Sequence, residues 1–265
     1  MRAPCKRLMP AAACAAMMVL LSCGGGSQAP GPAASGSGAP APASSAPTTI
    51  DPAIAAGVTG KVTFEGTPPP SQPIRLSSDP YCAGANPGLT TEAGLVGAGG
   101  VVQNVFVYVK DGLTGRTFAA SAEPVVIDQK GCHYTPHVIG IQVGQPLQII
   151  NSDATLHNVH ALAKSNKEFN AGQPIQGMKM THTFSASEVM VPFKCDVHGW
   201  MRAWVGVLDH PYYAVTGPDG VFSLKGLPPG TYTVEAWHEQ FGTATQTVTV
   251  GEKETKDIAF AFKGA

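Results

Sequence analysis

From residue 57 to the end of the chain, short apolar runs alternate with clusters of Gly, Pro and Asn, a pattern that leaves little room for helices. Strands of about four to eight residues bounded by turn residues give this spacing, whereas an amphipathic helix repeats its apolar residues every 3.6 positions. The pattern therefore predicts an all-β protein built from sandwiches. The runs that predict strands are residues 60–64, 101–109, 125–128, 137–143, 146–151, 181–184, 189–195, 203–208, 221–224, 232–236, 245–250 and 258–262.

The N-terminal region differs from the rest in composition. Basic residues within the first seven positions precede an apolar run at residues 11–21, which is shorter than the roughly 20 residues of a membrane-spanning helix. This predicts an export signal over residues 1–23, with an uncleaved membrane anchor as the alternative. Residues 24–56 are almost all Gly, Ala, Pro or Ser, so they cannot bury a core and are expected to form a disordered tether.

The signal ends in Leu20-Leu21-Ser22-Cys23, which resembles the lipobox of bacterial lipoproteins. The resemblance implies that the Cys23 thiol carries a diacylglycerol and that the protein faces the periplasm from a membrane of the bacterial cell envelope. Gly24 stands where an Asp commonly retains lipoproteins at the inner membrane, which favours the outer membrane.

Charge excludes one class of partner. The formal net charge is −1, and the Lys and Arg residues are scattered without forming a basic stripe. We therefore expect no nucleic-acid partner.

Three cysteines remain outside the predicted signal and its lipidation site: Cys82, Cys132 and Cys195. Export favours pairing, so we predict a disulfide between Cys82 and Cys132 and leave Cys195 as the odd thiol, which metal ligation would protect. The alternative is a second metal site made of Cys132, His133 and His137.

The segment from Cys195 to Met201 carries the chemistry. It places a thiol, the His198 imidazole and a thioether within seven residues between two predicted strands. Joined by a second imidazole, this donor set suits a mononuclear type 1 (blue) copper site, while structural zinc usually takes four Cys or His ligands. His157, which follows the predicted strand at residues 146–151, is positioned to supply the second imidazole.

The Val143-Gly144 turn, the strand after it and His157-Asn158-Val159, taken with the Cys-x2-His-x2-Met loop, resemble the amicyanin- and pseudoazurin-like cupredoxins. The resemblance spans residues 123–209. It implies a Greek-key β-sandwich in which Asn158 ties the two ligand loops together. His160 as the ligand in place of His157 is one open alternative, and a packing role for Met201 is another. The ligands that the resemblance implies for one copper ion are His157, Cys195, His198 and Met201.

A second resemblance covers the C-terminal region. The segments 220–224 and 227–232 resemble the carboxypeptidase regulatory-like domain, a small transthyretin-like or Ig-like sandwich, and residues 58–66 and 105–110 resemble its first strands. Two arrangements follow. The copper domain, residues 123–209, is inserted between residues 57–122 and 210–263 of one sandwich, or the domains lie in tandem and residues 57–122 extend the copper domain.

The cupredoxin resemblance implies a one-electron carrier. We expect no enzymatic activity, because a copper oxidase or nitrite-reducing enzyme needs a further copper and usually His-x-His motifs, and the sequence has no such motif. The resemblance also implies that one edge of the His198 ring reaches the surface, with Trp200 beside it where a redox partner docks. We expect that partner to be a protein such as a cytochrome or a dehydrogenase. The alternatives are a copper-delivery protein and a metal-free scaffold of the envelope.

Overall fold

The computed structural model describes residues 47–76 and 78–264, and it confirms the all-β prediction. The predicted signal, Cys23 and most of the tether lie outside the described residues. Within them, no helix is long and apolar enough to cross a membrane. The only helices described are α1 (Pro80–Ala85) and a short 3₁₀ turn (Ala98–Gly100). The strands are β1 (Ala56–Glu65), β2 (Phe106–Asp111), β3 (Val125–Gln129), β4 (Tyr134–Thr135), β5 (Val138–Gln142), β6 (Pro146–Asn151), β7 (His157–Ala161), β8 (Phe169–Gln173), β9 (Lys179–Thr183), β10 (Glu188–Lys194), β11 (Arg202–Leu208), β12 (Tyr213–Val215), β13 (Val221–Leu227), β14 (Gly230–His238), β15 (Gly242–Val250) and β16 (Thr255–Lys263).

The strands form two sandwiches. The terminal sandwich packs a three-stranded sheet, β13-β1-β16, against a four-stranded sheet, β12-β2-β14-β15. Alternate residues of β1, such as Val58 and Val62, are fully buried, which is the pattern of a strand with one face on a core. The core between these sheets also contains Val107, Leu224 and Phe260.

The two ends of the chain meet in the terminal sandwich. Strand β1 runs parallel to β16 from Gly57 opposite Thr255 to Glu65 opposite Lys263, and β2 is antiparallel to β14. A tandem arrangement would leave β1 and β2 outside the C-terminal sheets. The pairings are those of the split sandwich, with strands β3 to β11 inserted between its two parts.

The inserted sandwich packs the sheet β5-β11-β10-β7-β8 against β4-β3-β6-β9. Its core contains alternating apolar residues of both sheets, among them Ile127, Ile149, Val191 and Val205. At one end of this core lie the residues predicted to bind copper.

The two sandwiches share an apolar contact. A Cβ at Gly206 of β11 would lie 2.4 Å from the Phe106 ring, and one at Gly140 of β5 would lie 2.2 Å from Tyr213. Only glycine permits this approach, so both rings of the terminal sandwich pack directly on the backbone of the inserted one. His137 adds a polar contact across the same boundary through Glu239, which also accepts a hydrogen bond from Trp204 Nε1 (2.8 Å).

A segment between β1 and β2 lies over the end of the inserted sandwich. We call it the cap, and it comprises residues 72–76 and 78–91. Its ends pair through Ile74 N to Leu89 O (2.9 Å) and Thr91 N to Gln72 O (2.9 Å), and it contains α1. The strand pattern did not predict α1, because its six residues are too few to show helical periodicity.

Candidate metal centre

The loop between β10 and β11 places three potential ligands within seven residues. It is closed by hydrogen bonds from Cys195 N to Met201 O (3.2 Å) and from Met201 N to His198 O (2.9 Å). The backbone N–H of His198 donates to Cys195 Sγ (3.3 Å). Because both ends of the loop are anchored in paired strands, these side chains have little freedom to move.

His157 faces this loop from β7. It is the first residue of that strand, whereas the sequence placed it in a loop. Its Nδ1 lies 2.9 Å from His198 Nδ1, and Cys195 Sγ lies 3.9 Å from the same His198 nitrogen. The ligand atoms of these three residues all lie within 4.8 Å of one another, and all three side chains are buried.

This geometry fits a single metal ion. Metal–nitrogen bonds of about 2.0 Å and metal–sulfur bonds of about 2.3 Å place neighbouring donors roughly 3 to 4 Å apart. The two donor distances to His198 Nδ1, 2.9 Å from His157 Nδ1 and 3.9 Å from Cys195 Sγ, match this spacing. Met201 is buried at the end of the same loop and belongs to the same core cluster as Cys195. Two imidazoles, a thiolate and a thioether form a soft donor set that suits copper.

Each imidazole is held on its far side by a carboxylate. His157 Nε2 lies 2.9 Å from Asp153 Oδ2, which also accepts the Cys132 N–H (2.8 Å). His198 Nε2 lies 2.8 Å from Asp79 Oδ2 on the cap. A carboxylate on Nε2 fixes the tautomer that leaves Nδ1 free for a metal. Both Nδ1 atoms point into the space shared with Cys195.

Electrostatics favour the metal-binding protonation state of the cysteine. Burial raises the pKa of the Cys195 thiol, but hydrogen bonds from His157 and from backbone N–H groups outweigh burial and lower that pKa. Burial lowers the pKa of His157, yet Asp153 and Cys195 outweigh it and raise the pKa to about 9. The thiolate is the form that ligates metals, so the site stabilises this donor. The raised pKa keeps a proton on His157 at neutral pH, so a metal that binds at Nδ1 must displace it.

Asn158 connects the two ligand segments, as the cupredoxin resemblance implies. Its Oδ1 accepts the Asp196 N–H (2.6 Å), and its Nδ2 donates to Asp196 Oδ2 (3.2 Å). Its backbone carbonyl accepts the buried Tyr134 hydroxyl (2.6 Å). His160 lies away from the cluster, with its ring against Asp196 and Glu168.

Cys82 and Cys132 form a disulfide beside the site, and Cys195 is the one free cysteine among the described residues. Cys132 is therefore not available for the alternative metal site. His133 hydrogen-bonds Gly131 O (3.3 Å), while His137 contacts Glu239 across the boundary between the sandwiches.

The expected exposure of His198 is wrong. Its side chain is only 2% exposed, because Asp79 and the disulfide cover the edge that faces outward. The predicted docking residue, Trp200, is half-buried. Its ring centroid lies 5.0 Å from that of His198, and its Nε1 donates to Cys132 O (3.0 Å).

Asp79 and Asp153 are the site residues that sequence reasoning missed. Asp153 stands four residues before His157, a spacing that offered a weak signal. Asp79 lies in an irregular segment 119 positions before His198, and no motif connects the two.

Comparisons with known proteins give a partial match. The profile of the carboxypeptidase regulatory-like domain family matches residues 203–263. Rhamnogalacturonate lyase A of Emericella nidulans is 36% identical over 66 residues, which are 24% of this chain and 12% of that protein. The chain therefore spans a small part of that curated relative.

Solved structures similar to this chain include copper proteins, all at low TM-scores. A purple cupredoxin from Nitrosopumilus maritimus gives a TM-score of 0.28 at 22% identity, covering 31% of this chain and 98% of that one. An oxidized amicyanin variant gives 0.29 at 23% identity, covering 38% and 97%. A copper-containing nitrite reductase from Thermus scotoductus gives 0.31 at 19% identity, covering 36% and 26%.

Proposed function

We propose that this protein holds one type 1 copper ion through His157, Cys195, His198 and Met201 and carries single electrons. The observation that supports this most strongly is the buried convergence of two imidazole Nδ1 atoms and one stabilised thiolate at the end of a rigid sandwich. When bound there, copper supplies the ability to accept and release one electron.

The residues around the site support electron transfer because they limit movement of the ligands. Backbone hydrogen bonds close the loop, Asn158 ties it to β7, and carboxylates fix both imidazole rings. A ligand set that keeps its geometry when the oxidation state changes needs little reorganisation. The protein contributes this preorganisation.

Burial of the ligands argues against copper delivery. A delivery protein exchanges its ion through exposed groups, whereas Cys195 and Met201 are each 1% exposed and His157 is 0% exposed. We also propose that the protein is not an enzyme, because four protein donors fill the copper coordination and leave no position for a substrate.

Trp200 provides a route for the electron. Since the cap covers the outer edge of His198, the aromatic contact that leads outward from that ring is Trp200. This ring lines a cavity of about 290 Å³ together with Ile74, Leu89 and Arg202. We propose that a redox protein, such as a cytochrome or a dehydrogenase, docks here. The lipid on Cys23 would hold the complex in the bacterial cell envelope, where it would face the periplasm. We propose the outer membrane as its location.

Voltammetry and electron-exchange kinetics test this function. The copper-loaded full chain should give a reversible one-electron wave. Trp200→Leu should slow electron exchange with a c-type cytochrome about tenfold, equivalent to about 1.4 kcal/mol, while Trp237→Leu, the same change on the terminal sandwich, should not. The absence of a reversible wave would contradict electron transfer, and equal rates for both variants would contradict docking at Trp200.

A further inference from the structure

Asp79 connects the cap to the metal centre. It is the N-cap residue of α1, where its Oδ1 accepts the N–H groups of Tyr81 (2.8 Å) and Cys82 (3.2 Å). Its second oxygen, Oδ2, accepts the Thr155 hydroxyl (3.1 Å) and lies 2.8 Å from His198 Nε2. One carboxylate thus caps a helix and contacts a ligand ring at the same time.

A ligand histidine that is exposed to solvent would not need the contact between Nε2 and a carboxylate. Water would satisfy Nε2 of an exposed ring, whereas the 2% exposure of His198 leaves Asp79 as its polar partner. A direct metal-ligand role for Asp79 is disfavoured, because the cysteine beside it, Cys82, is in the disulfide.

We propose that Asp79 is a positioning residue that closes the copper site and lowers its reduction potential. This inference rests on the proposed function. The carboxylate orients His198 with Nδ1 toward Cys195, and it places a negative charge behind that ring. A negative charge and a more basic imidazole both favour the more highly charged, oxidised ion. The cap is thereby part of the metal centre and not only a cover.

The geometry also assigns a distinct role to each histidine. Asp153, behind His157, belongs to the inserted sandwich itself and accepts two further backbone N–H groups, from Gly131 and Cys132. Asp79 belongs to the cap and stands 46 positions before β3, the first strand of this sandwich. The cap contacts His198 directly through Asp79, whereas it approaches His157 one step further away, through the Tyr81 hydroxyl on Asp153 Oδ1 (3.1 Å).

Asp79→Asn separates the two roles of Asp79. Asparagine is as good an N-cap residue as aspartate, so α1 keeps its first turn, but the amide is neutral. The expected result is about a tenfold loss of copper(II) affinity relative to copper(I), which raises the potential by about 59 mV for a one-electron couple. Asp257→Asn, which removes an exposed carboxylate of the terminal sandwich, is the matched control and should leave the potential unchanged.

The readouts are the potential from redox titration and the copper hyperfine splitting from electron spin resonance, both on the copper-loaded full chain. If Asp79→Asn fails to fold, Asp79→Ser, which retains an N-cap oxygen but is too short to reach His198, takes its place. A blue site whose potential is the same in the wild type and in the Asp79 variant would overturn this inference alone. A wild-type protein without thiolate absorption would overturn the proposed function, and this inference with it.

Discussion

The two sandwiches share a sheet-on-sheet architecture but differ in what they bury. The described polar side chains with 0% exposure, Gln129, Asn151, His157 and Gln173, all belong to the inserted sandwich. The core of the terminal sandwich is a continuous apolar cluster with two tyrosines. Buried polar groups cost free energy unless they are hydrogen-bonded. Hydrogen bonds within the inserted sandwich satisfy most of these groups, while Gln129 Oε1 has no partner among the described residues.

The polar layer of the inserted sandwich is connected to the metal centre. Gln129 Nε2 donates to Gln173 Oε1 (2.5 Å), and Asn151 Nδ2 donates to Gln173 O (2.8 Å) and to Thr155 O (2.9 Å). Thr155 stands two residues before His157. The terminal sandwich also buries polar groups, among them Glu235 and His238, but only the inserted sandwich carries this connected polar layer beside the candidate metal centre.

Removing the disulfide should have the largest effect on stability. Cys82 and Cys132 are 50 positions apart, so the double replacement Cys82→Ala with Cys132→Ala should lower the free energy of unfolding by about 4 kcal/mol. Urea unfolding measures this loss. Because the disulfide ties the cap to the inserted sandwich, copper binding should also weaken, while hydrogen exchange in the terminal sandwich should stay the same. Unchanged stability of the double variant would contradict this role of the disulfide.

Breaking the contact between the sandwiches should come next. His137→Ala removes the only ion-pair partner that Glu239 has among the described residues and leaves that nearly buried carboxylate with the Trp204 N–H alone, which should cost about 3 kcal/mol. Burial lowers the pKa of His137, but Glu239 outweighs burial and raises it. The contribution of the pair is therefore complete below pH 6.5 and is lost as the pH rises through the raised pKa.

The carboxylate of Glu239 sets the lower pH limit of this contribution to stability. Burial raises the pKa of Glu239, yet His137 outweighs it and lowers that pKa below 4.5, so the contribution is lost as the pH falls through the lowered value. The difference in stability between the wild type and His137→Ala should be largest between pH 4.5 and 6.5. Glu254→Gln, which breaks an exposed ion pair with Lys256, is the control and should show no such pH dependence. A pH-independent difference for His137→Ala would contradict this prediction.

Two buried tyrosines, one in each sandwich, should give the smallest effect on stability and allow a direct comparison of the two sandwiches. Tyr134 donates to Asn158 O (2.6 Å) in the inserted sandwich, and Tyr232 donates to Pro228 O (2.5 Å) in the terminal one. Replacing either by Phe should cost about 1 kcal/mol by thermal or urea unfolding. Only Tyr134→Phe should also change the copper spectrum, because Asn158 adjoins His157. Identical copper spectra in Tyr134→Phe and Tyr232→Phe would contradict the link between Tyr134 and the metal centre.

The sequence predicts the candidate ligands from local motifs. Cys195, His198 and Met201 lie in one loop, so their spacing indicates metal chemistry, and the cupredoxin resemblance of His157-Asn158-Val159 implies the second imidazole. The all-β class followed from apolar runs and turn residues in the same way. β7 was missed because its first residues were read as a ligand loop.

The remaining features depend on contacts between distant positions. The pairing of β1 with β16 joins residues almost two hundred positions apart, so sequence reasoning left the insertion and tandem arrangements open. Asp79 reaches His198 only because the cap folds over the inserted sandwich. Carboxylates are common on protein surfaces, and nothing in the residues around Asp79 distinguishes it before the fold brings it to the ring.

The most direct test of the central claim is an optical and electron-spin-resonance spectrum of the copper(II)-loaded full chain, recorded beside Cys195→Ser. We expect intense absorption of red light and narrow copper hyperfine splitting in the wild type, both abolished by the substitution, because both arise from the copper–thiolate bond. A colourless wild-type protein, or a spectrum that survives Cys195→Ser, would contradict the claim that these residues form a blue-copper site.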